Sequence, residues 1–154
     1  MSGPGIIIRQ ACADDAPAIA PLFDAYRRFY EQATDQEGAE RFLTERLARQ
    51  ESDILLACDA KGWILGFCQL YPTFCSVEAA PIFSLYDLFV QPAHRRSGIG
   101  RTLLQAAEAL ALERGKVRMD LTTARSNHKA QALYESLGWQ RDTVFLAYSR
   151  RIAG

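Results

Sequence analysis

The stretch DLFVQPAHRRSGIGRTLL, Asp87 to Leu104, joins an apolar run to a proline, two arginines, two glycines and the start of an apolar-periodic helix. A helix opening at Gly98 leaves its first backbone N–H groups without intrahelical acceptors and carries about half a positive charge there. Glycine lets a ligand approach the backbone closely, and successive N–H groups in such a turn form a concavity for anions. Arg95 and Arg96 place fixed charge beside Ser97, Gly98, Ile99, Gly100 and Arg101. The segment therefore reads as a phosphate site, with a glycine turn and solvated arginines as the alternative. It lacks the third glycine of a dinucleotide fingerprint and the Lys-Ser/Thr pair of a P-loop.

Outward from this junction, helices and strands alternate without a linker or repeat. Ile6-Ile7-Ile8 is a short β-branched strand. In CADDAPAIAPLFDAYRRFYEQ, Ile19, Leu22, Phe23, Tyr26 and Tyr30 recur at helical spacing, and Asp14 or Asp15 can cap the helix. A second helix is expected from about Asp35 to Gln50, and DILLACD-AKG-WILGFCQLY reads as a hairpin. PTFCSVEAAP reads as a loop and IFSLYDLFV as a strand. The helix from Gly98 to Arg114 stops at Gly115, a suitable C-cap. KVRMDLTT reads as a strand, NHKAQALYESLG as a helix and TVFLAYSRRI as a final strand. The sum is an α/β domain with a mixed sheet, occupying residues 1–154 as one domain.

The 154 residues suffice for a real core, and 49% hydrophobic with 23% charged residues is ordinary globular composition. Basic and acidic residues balance at 18 each, so no nucleic-acid-coating surface is indicated. Cys12, Cys58, Cys68 and Cys75 lack C-x-x-C spacing and no signal-peptide pattern is read. Reduced core thiols in a cytoplasmic protein are expected. No apolar stretch is long enough for a membrane span, and no His/Cys/Asp/Glu cluster has metal-ligand spacing, so neither membrane nor metal is expected.

Strand, V-x-P, then R-x-x-G-x-G opening a helix resembles the acetyl-CoA signature of the GNAT N-acetyltransferases. Here those positions are Val90, Pro92, Arg95, Gly98 and Gly100. SNHKAQALYESLGW resembles the family's second signature through Asn127, Ala130, Leu133, Tyr134, Gly138 and Trp139. The resemblance implies a GNAT-like fold: a mixed, mostly antiparallel sheet with helices on both faces and a splayed central strand pair. It implies that the pyrophosphate of acetyl-CoA lies on the backbone from Arg96 to Arg101, with Arg95 nearby. The pantetheine arm would run beside Leu88, Phe89 and Val90 as an added strand would. Asn127, in the same segment as Ala130, would face the arm from the other side, and it is equally placed to be a helix N-cap.

Acyl transfer needs a neutral amine, a held oxyanion and a proton for the leaving thiolate. A backbone N–H near Phe89 or Val90 is the natural oxyanion donor. Tyr134, at the family's tyrosine position, is the implied general acid, although a tyrosine in ALYESLGW also suits an apolar helix face. Polyamine-acetylating relatives often carry Glu-Asp where this chain has Tyr86-Asp87, which leaves Asp87 as base, counter-ion or structural hydrogen-bonder. His94 and His128 read as solvated.

The acceptor side of the family is walled by the first two helices and the loop before the cofactor strand. That material here includes Phe29, Tyr30, Tyr71 and Phe74, with Glu31, Glu78 and Asp87 as counter-charges. Tyr30 and Asp87 are thus the expected contacts of a small primary amine such as an amino acid or diamine. Two alternatives stay open: an acyl-CoA-binding module without catalysis, and an acetyltransferase of protein lysines. Edge strands offer surfaces on which a homodimer could form.

Overall fold

In the computed structural model, which describes residues 5–154, five strands form one sheet in chain order. They are β1 (Ile7–Gln10), β2 (Asp53–Cys58), β3 (Ile64–Cys75), β4 (Ala80–Val90) and β5 (Met119–Asp120). The first four pair antiparallel and β5 joins β4 in parallel, so the sheet is mixed and mostly antiparallel. The helices are α1 (Ala16–Phe29), α2 (Gln36–Ala48), α3 (Ile99–Glu113) and α4 (His128–Ser136). The chain divides into two compact units, Met1–Leu121 and Thr122–Gly154.

In the first unit β2 is buried along its whole length. Ile54, Leu56 and Cys58 join Ile19 and Phe23 of α1, Leu43 of α2, and Phe67 and Phe89 in one apolar cluster. Leu55 and Ala57 alternate to the opposite face, and α3 packs against β2, β3 and β4 with Leu103, Leu104, Ala107 and Leu110 buried. Pro17 sits in the first turn of α1, where its missing N–H costs nothing. Asp15 does not cap that helix with its side chain. It accepts from the Cys12 N–H at 2.8 Å and from Arg9 at 2.8 and 3.0 Å, which ties the preceding turn to β1. Asp35 caps α2 through the Gly38 N–H at 2.9 Å.

Three expectations fail. PTFCSVEAAP is not a loop: β3 continues through Cys75 and pairs with Ala80–Ser84, leaving residues 76–79 as the turn. The cross-strand ladder overrides the local turn signal, and Pro72 is exposed. KVRMDLTT is reduced to the two residues of β5. TVFLAYSRRI forms no strand, and Val144, Phe145, Leu146, Tyr148 and Ile152 are exposed. The Asp142 carboxylate accepts the N–H groups of Val144 and Phe145 at 2.8 and 3.0 Å. That turn takes two donors away from any ladder, and strand propensity without a partner has little value.

In the second unit Asn127 Oδ1 accepts the Ala130 N–H at 3.2 Å and so caps α4, which ends before Gly138 at φ 93°. The four cysteines are free, Cys58 and Cys68 buried and Cys75 half-buried. Cys12 is exposed, and so is not the core thiol expected.

Candidate active site

The turn from β4 to α3 has the backbone of an anion site. Arg96 and Gly98 both adopt left-handed conformations, at φ 69° and 82°. The first rung of α3 runs from the Thr102 N–H to the Gly98 carbonyl at 3.0 Å. The N–H groups of Ile99 and Gly100 therefore precede the helical ladder. Ile99 is buried and anchors the turn from beneath, while Arg96 and Ser97 are exposed and Arg101 is half-buried in the first turn. Ser97 Oγ donates to the His94 carbonyl, which closes the turn on itself. Arg95 is committed differently from the expectation. Its Nε donates to the Val90 carbonyl at 2.9 Å and its guanidinium lies 5.1 Å from the centroid of Phe89, so it fastens the end of β4.

β4 also has an open side. β5 pairs with it only at Phe83–Met119 and Ser84–Asp120, whereas β3 follows it to Val90. The Gln91 N–H goes to the Leu65 carbonyl across the β3 ladder at 2.8 Å. By the alternation of a strand, the N–H of Val90 faces away from β3. Leu88 and Val90 are half-buried and Phe89 is buried in the core. An edge that β5 does not pair beyond Ser84, next to a turn whose first helical N–H groups precede the ladder, suits a ligand carrying amides and a diphosphate. The residues present therefore fit acetyl-CoA.

A buried carboxyl lies on the same strand. Asp87 is only 4% exposed, while neighbouring Tyr86 is exposed. Gln69 stands opposite Asp87 in the β3 ladder but Leu70 stands opposite Leu85, so Tyr86 is the extra residue of a β-bulge. Gln69 Nε2 donates to Asp87 Oδ2 at 2.5 Å. The Tyr26 hydroxyl, reaching over from α1, donates to the Tyr86 carbonyl at 3.3 Å and also hydrogen-bonds Asp87. Burial pushes the Asp87 carboxyl above its ordinary value, against the opposing pull of the Gln69 and Tyr26 hydrogen bonds. Burial and then the Asp87 charge push the hydroxyls of Tyr26 and Tyr71 and the thiol of Cys68 upward, so all three are neutral at physiological pH.

Aromatic rings frame this carboxyl. Tyr26 meets Tyr30, Phe67 and Phe89 edge-on at 5.2, 5.9 and 5.9 Å, and Tyr71 meets Tyr86 edge-on at 5.4 Å. Tyr30, half exposed at the end of α1, is brought to this cluster through Tyr26. Phe74 and Glu78 are not. Phe74 lies five residues along β3 from Gln69, about 17 Å away at strand rise, and Glu78 pairs with Arg118 in the hairpin turn. The segment after Tyr30 is held by Asp24, 1% exposed, which accepts from Thr34 Oγ1 and from the Asp35 N–H, both at 2.7 Å.

The open edge, the buried carboxyl and the glycine turn thus lie on one strand and the turn that follows it. The profile of the acetyltransferase (GNAT) family matches residues 19–139. The chain belongs to the GNAT acetyltransferase family. It is 50% identical to the N-acetyltransferase YhfO of Bacillus subtilis over 141 residues, 92% of this chain and 94% of that one. It is 31% identical to an aminoglycoside N(6')-acetyltransferase type 1 of Stenotrophomonas maltophilia, over 93% of this chain and 91% of that one. A crystal structure of a probable acetyltransferase superposes with a TM-score of 0.90 at 39% identity, covering 96% of this chain and 99% of the other. The protein is an acetyltransferase enzyme, and GNAT enzymes use acetyl-CoA.

In the second unit, Tyr134 is half-buried on α4 with its ring 6.0 Å from Trp139, and Ala130 is half-buried one turn before it. His94 is half-buried in the turn before Arg95, and His128 is exposed. Among the described residues no three His, Cys, Asp or Glu side chains gather as a metal-ligand set, and no helix is long and apolar enough to cross a membrane. Sequence reasoning missed Gln69, Tyr26 and Gly66. Gln69 sits in an otherwise apolar strand (ILGFCQL), a signal that was there to read. The bulge at Tyr86 has no glycine or proline to announce it.

Proposed function

We propose that this enzyme transfers the acetyl group of acetyl-CoA directly to the primary amine of a small molecule, such as an amino acid, a diamine or a related metabolite. The observation that carries this reading is Asp87: a buried carboxyl framed by Tyr26, Tyr30, Tyr71 and Tyr86, on the strand with the open edge. A carboxyl among aromatic faces suits a compact ammonium, by ion pairing and cation–π contact. Likeness to an aminoglycoside acetyltransferase over nearly the whole chain supports an amine on a small molecule.

Acetyl-CoA supplies the activated thioester. The chain's own residues do the rest. The backbone from Arg96 to Arg101, through Ser97, Gly98, Ile99 and Gly100, receives the diphosphate, and the edge at Leu88, Phe89 and Val90 receives the pantetheine amides. The outward N–H of Val90 is the donor for the carbonyl oxygen, and loss of such a donor costs about 3 kcal/mol of barrier. Asp87 takes a proton from the ammonium, directly or through water, and leaves a neutral nucleophile. Tyr134 donates a proton to the departing sulfur. Asn127, which caps α4, and Ala130 belong to the cofactor-binding helix.

The test is steady-state release of free thiol from acetyl-CoA across a panel of amino acids, diamines and lysine peptides. Small amines should give the highest kcat/KM. Asp87→Asn should raise KM for cationic amines far more than KM for acetyl-CoA. Peptides outrunning every small amine would overturn the acceptor class, and no thiol release with any amine would overturn the reaction.

A further inference from the structure

Gln69 carries an unmet requirement. It has no solvent exposure, and its Nε2 is engaged with Asp87 while its Oε1 has no partner among the described residues. An apolar side chain of the same shape would fill the position without burying an unsatisfied acceptor, so the static pairing alone does not explain the amide. Asp87 is the group that changes. As a carboxylate it only accepts hydrogen bonds; as a carboxylic acid it must donate one.

We propose that Gln69 is a positioning residue for Asp87 whose amide reverses as the carboxyl takes up the proton of the incoming ammonium and later releases it. This rests on Asp87 being the proton acceptor. With Asp87 ionised, Nε2 donates to Oδ2, as observed. When the ammonium N–H bond breaks and an O–H bond forms on Asp87, that electron pair stays on the amine nitrogen. Asp87 becomes neutral and Oε1 of the reversed amide accepts its O–H. Loss of the proton to water restores the first state. The final torsion of a glutamine is broad and roughly two-fold, so the reversal moves no carbon of the packed strand. The carboxyl thus keeps one partner and one orientation in both charge states.

The other groups near Asp87 are placed differently. The Tyr26 hydroxyl from α1 gives its proton to the Tyr86 carbonyl at 3.3 Å, Cys68 and Tyr71 from β3 stay neutral with raised proton affinity, and the Tyr86 ring of β4 packs edge-on against Tyr71. From α2, Arg46 acts on Tyr71 at a distance and is itself paired with Glu45 and Glu51.

The test compares Gln69→Met, Asp87→Asn and the unmodified enzyme. In Gln69→Met the acid limb of the kcat/KM profile for the amine should move up by about one to two pH units, because a charge-assisted hydrogen bond to the carboxylate is lost. KM for acetyl-CoA should stay within about twofold. A packing role alone would lower the melting temperature and leave the limb in place. In the unmodified enzyme, the side-chain amide signals of Gln69 in nitrogen-15 NMR should titrate with the midpoint of that limb. This measurement decides the matter even if Gln69→Met does not fold. An unmoved limb, or Gln69 signals that do not titrate, would overturn the proposal while Asp87→Asn still loses turnover. If Asp87→Asn keeps the parental rate and profile, Asp87 is not the proton acceptor and the reading beneath the proposal falls instead.

Discussion

Gly66 lies directly beneath the Phe89 carbonyl: a Cβ on Gly66 would stand 3.0 Å from that oxygen, 3.3 Å from Val90 Cγ2 and 3.4 Å from Ile99 Cγ2. This one missing side chain lets β3, the end of β4 and the start of α3 close together at the open edge and the anion turn. Gly66→Ala should push the Phe89–Val90 backbone outward and destabilise the fold by about 1–3 kcal/mol, the usual range for overpacking. The thermal shift produced by acetyl-CoA should shrink with it. An unchanged melting temperature and ligand shift would show that α3 yields freely.

Gly98 makes a separate demand, since its φ of 82° belongs to the left-handed region. Gly98→Ala should cost about 1–2 kcal/mol from backbone strain alone. It should also crowd a diphosphate against the turn, so acetyl-CoA binding measured by calorimetry should weaken by about tenfold or more. Parental affinity in a folded Gly98→Ala protein would remove the turn from the binding site.

For Tyr134 the expectation concerns rate rather than affinity. Tyr134→Phe should bind acetyl-CoA as the parent does and turn over at least about tenfold more slowly, because the hydroxyl acts as charge develops on sulfur. Equal turnover in parent and variant would return Tyr134 to a packing role beside Trp139.

Asp24 yields a prediction in pH. The Asp35 N–H, then the Thr34 hydroxyl, hold its carboxyl below the ordinary value despite burial. A carboxyl lowered on folding stabilises the protein above the unfolded value, near pH 4, and that contribution is lost as pH falls through the lower folded value. The parent's melting temperature should therefore drop on acidification below about pH 4, and Asp24→Asn should flatten that drop. Asp24→Ala leaves the Thr34 hydroxyl and the Asp35 N–H without their shared acceptor and should lower the melting temperature at neutral pH by roughly 5 °C. A drop in Asp24→Asn as steep as the parent's would assign the acid sensitivity elsewhere; Asp15, lowered to about 2 chiefly by its hydrogen bonds with Arg9, is the next candidate.

Much of this was legible from residues alone because the signals are local. A glycine ahead of an apolar-periodic run marks a helix start, and Gly98 and Gly115 bracket α3 as expected. Fold class and family followed from the order of such signals. The extent of pairing was different. Pro72–Cys75 looked like a loop and is strand, while Thr143–Ile152 looked like a strand and is not, because a ladder depends on what lies across from a segment.

The sequence by itself therefore determined the glycine turn, the helix that follows it and the carboxyl on the strand before it, since each rests on contacts within a few residues. Only the tertiary structure decided what surrounds that carboxyl. Gln69 is 18 residues away and Tyr26 about 60, and no spacing rule links them to Asp87. Their meeting depends on the β3–β4 register, on the extra residue at Tyr86, and on α1 crossing the sheet where Phe67 and Phe89 receive its rings. A register is set by the sum of many weak cross-strand contacts and a single slip would turn every side chain to the other face, so the environment of Asp87 exists only once the sheet is assembled.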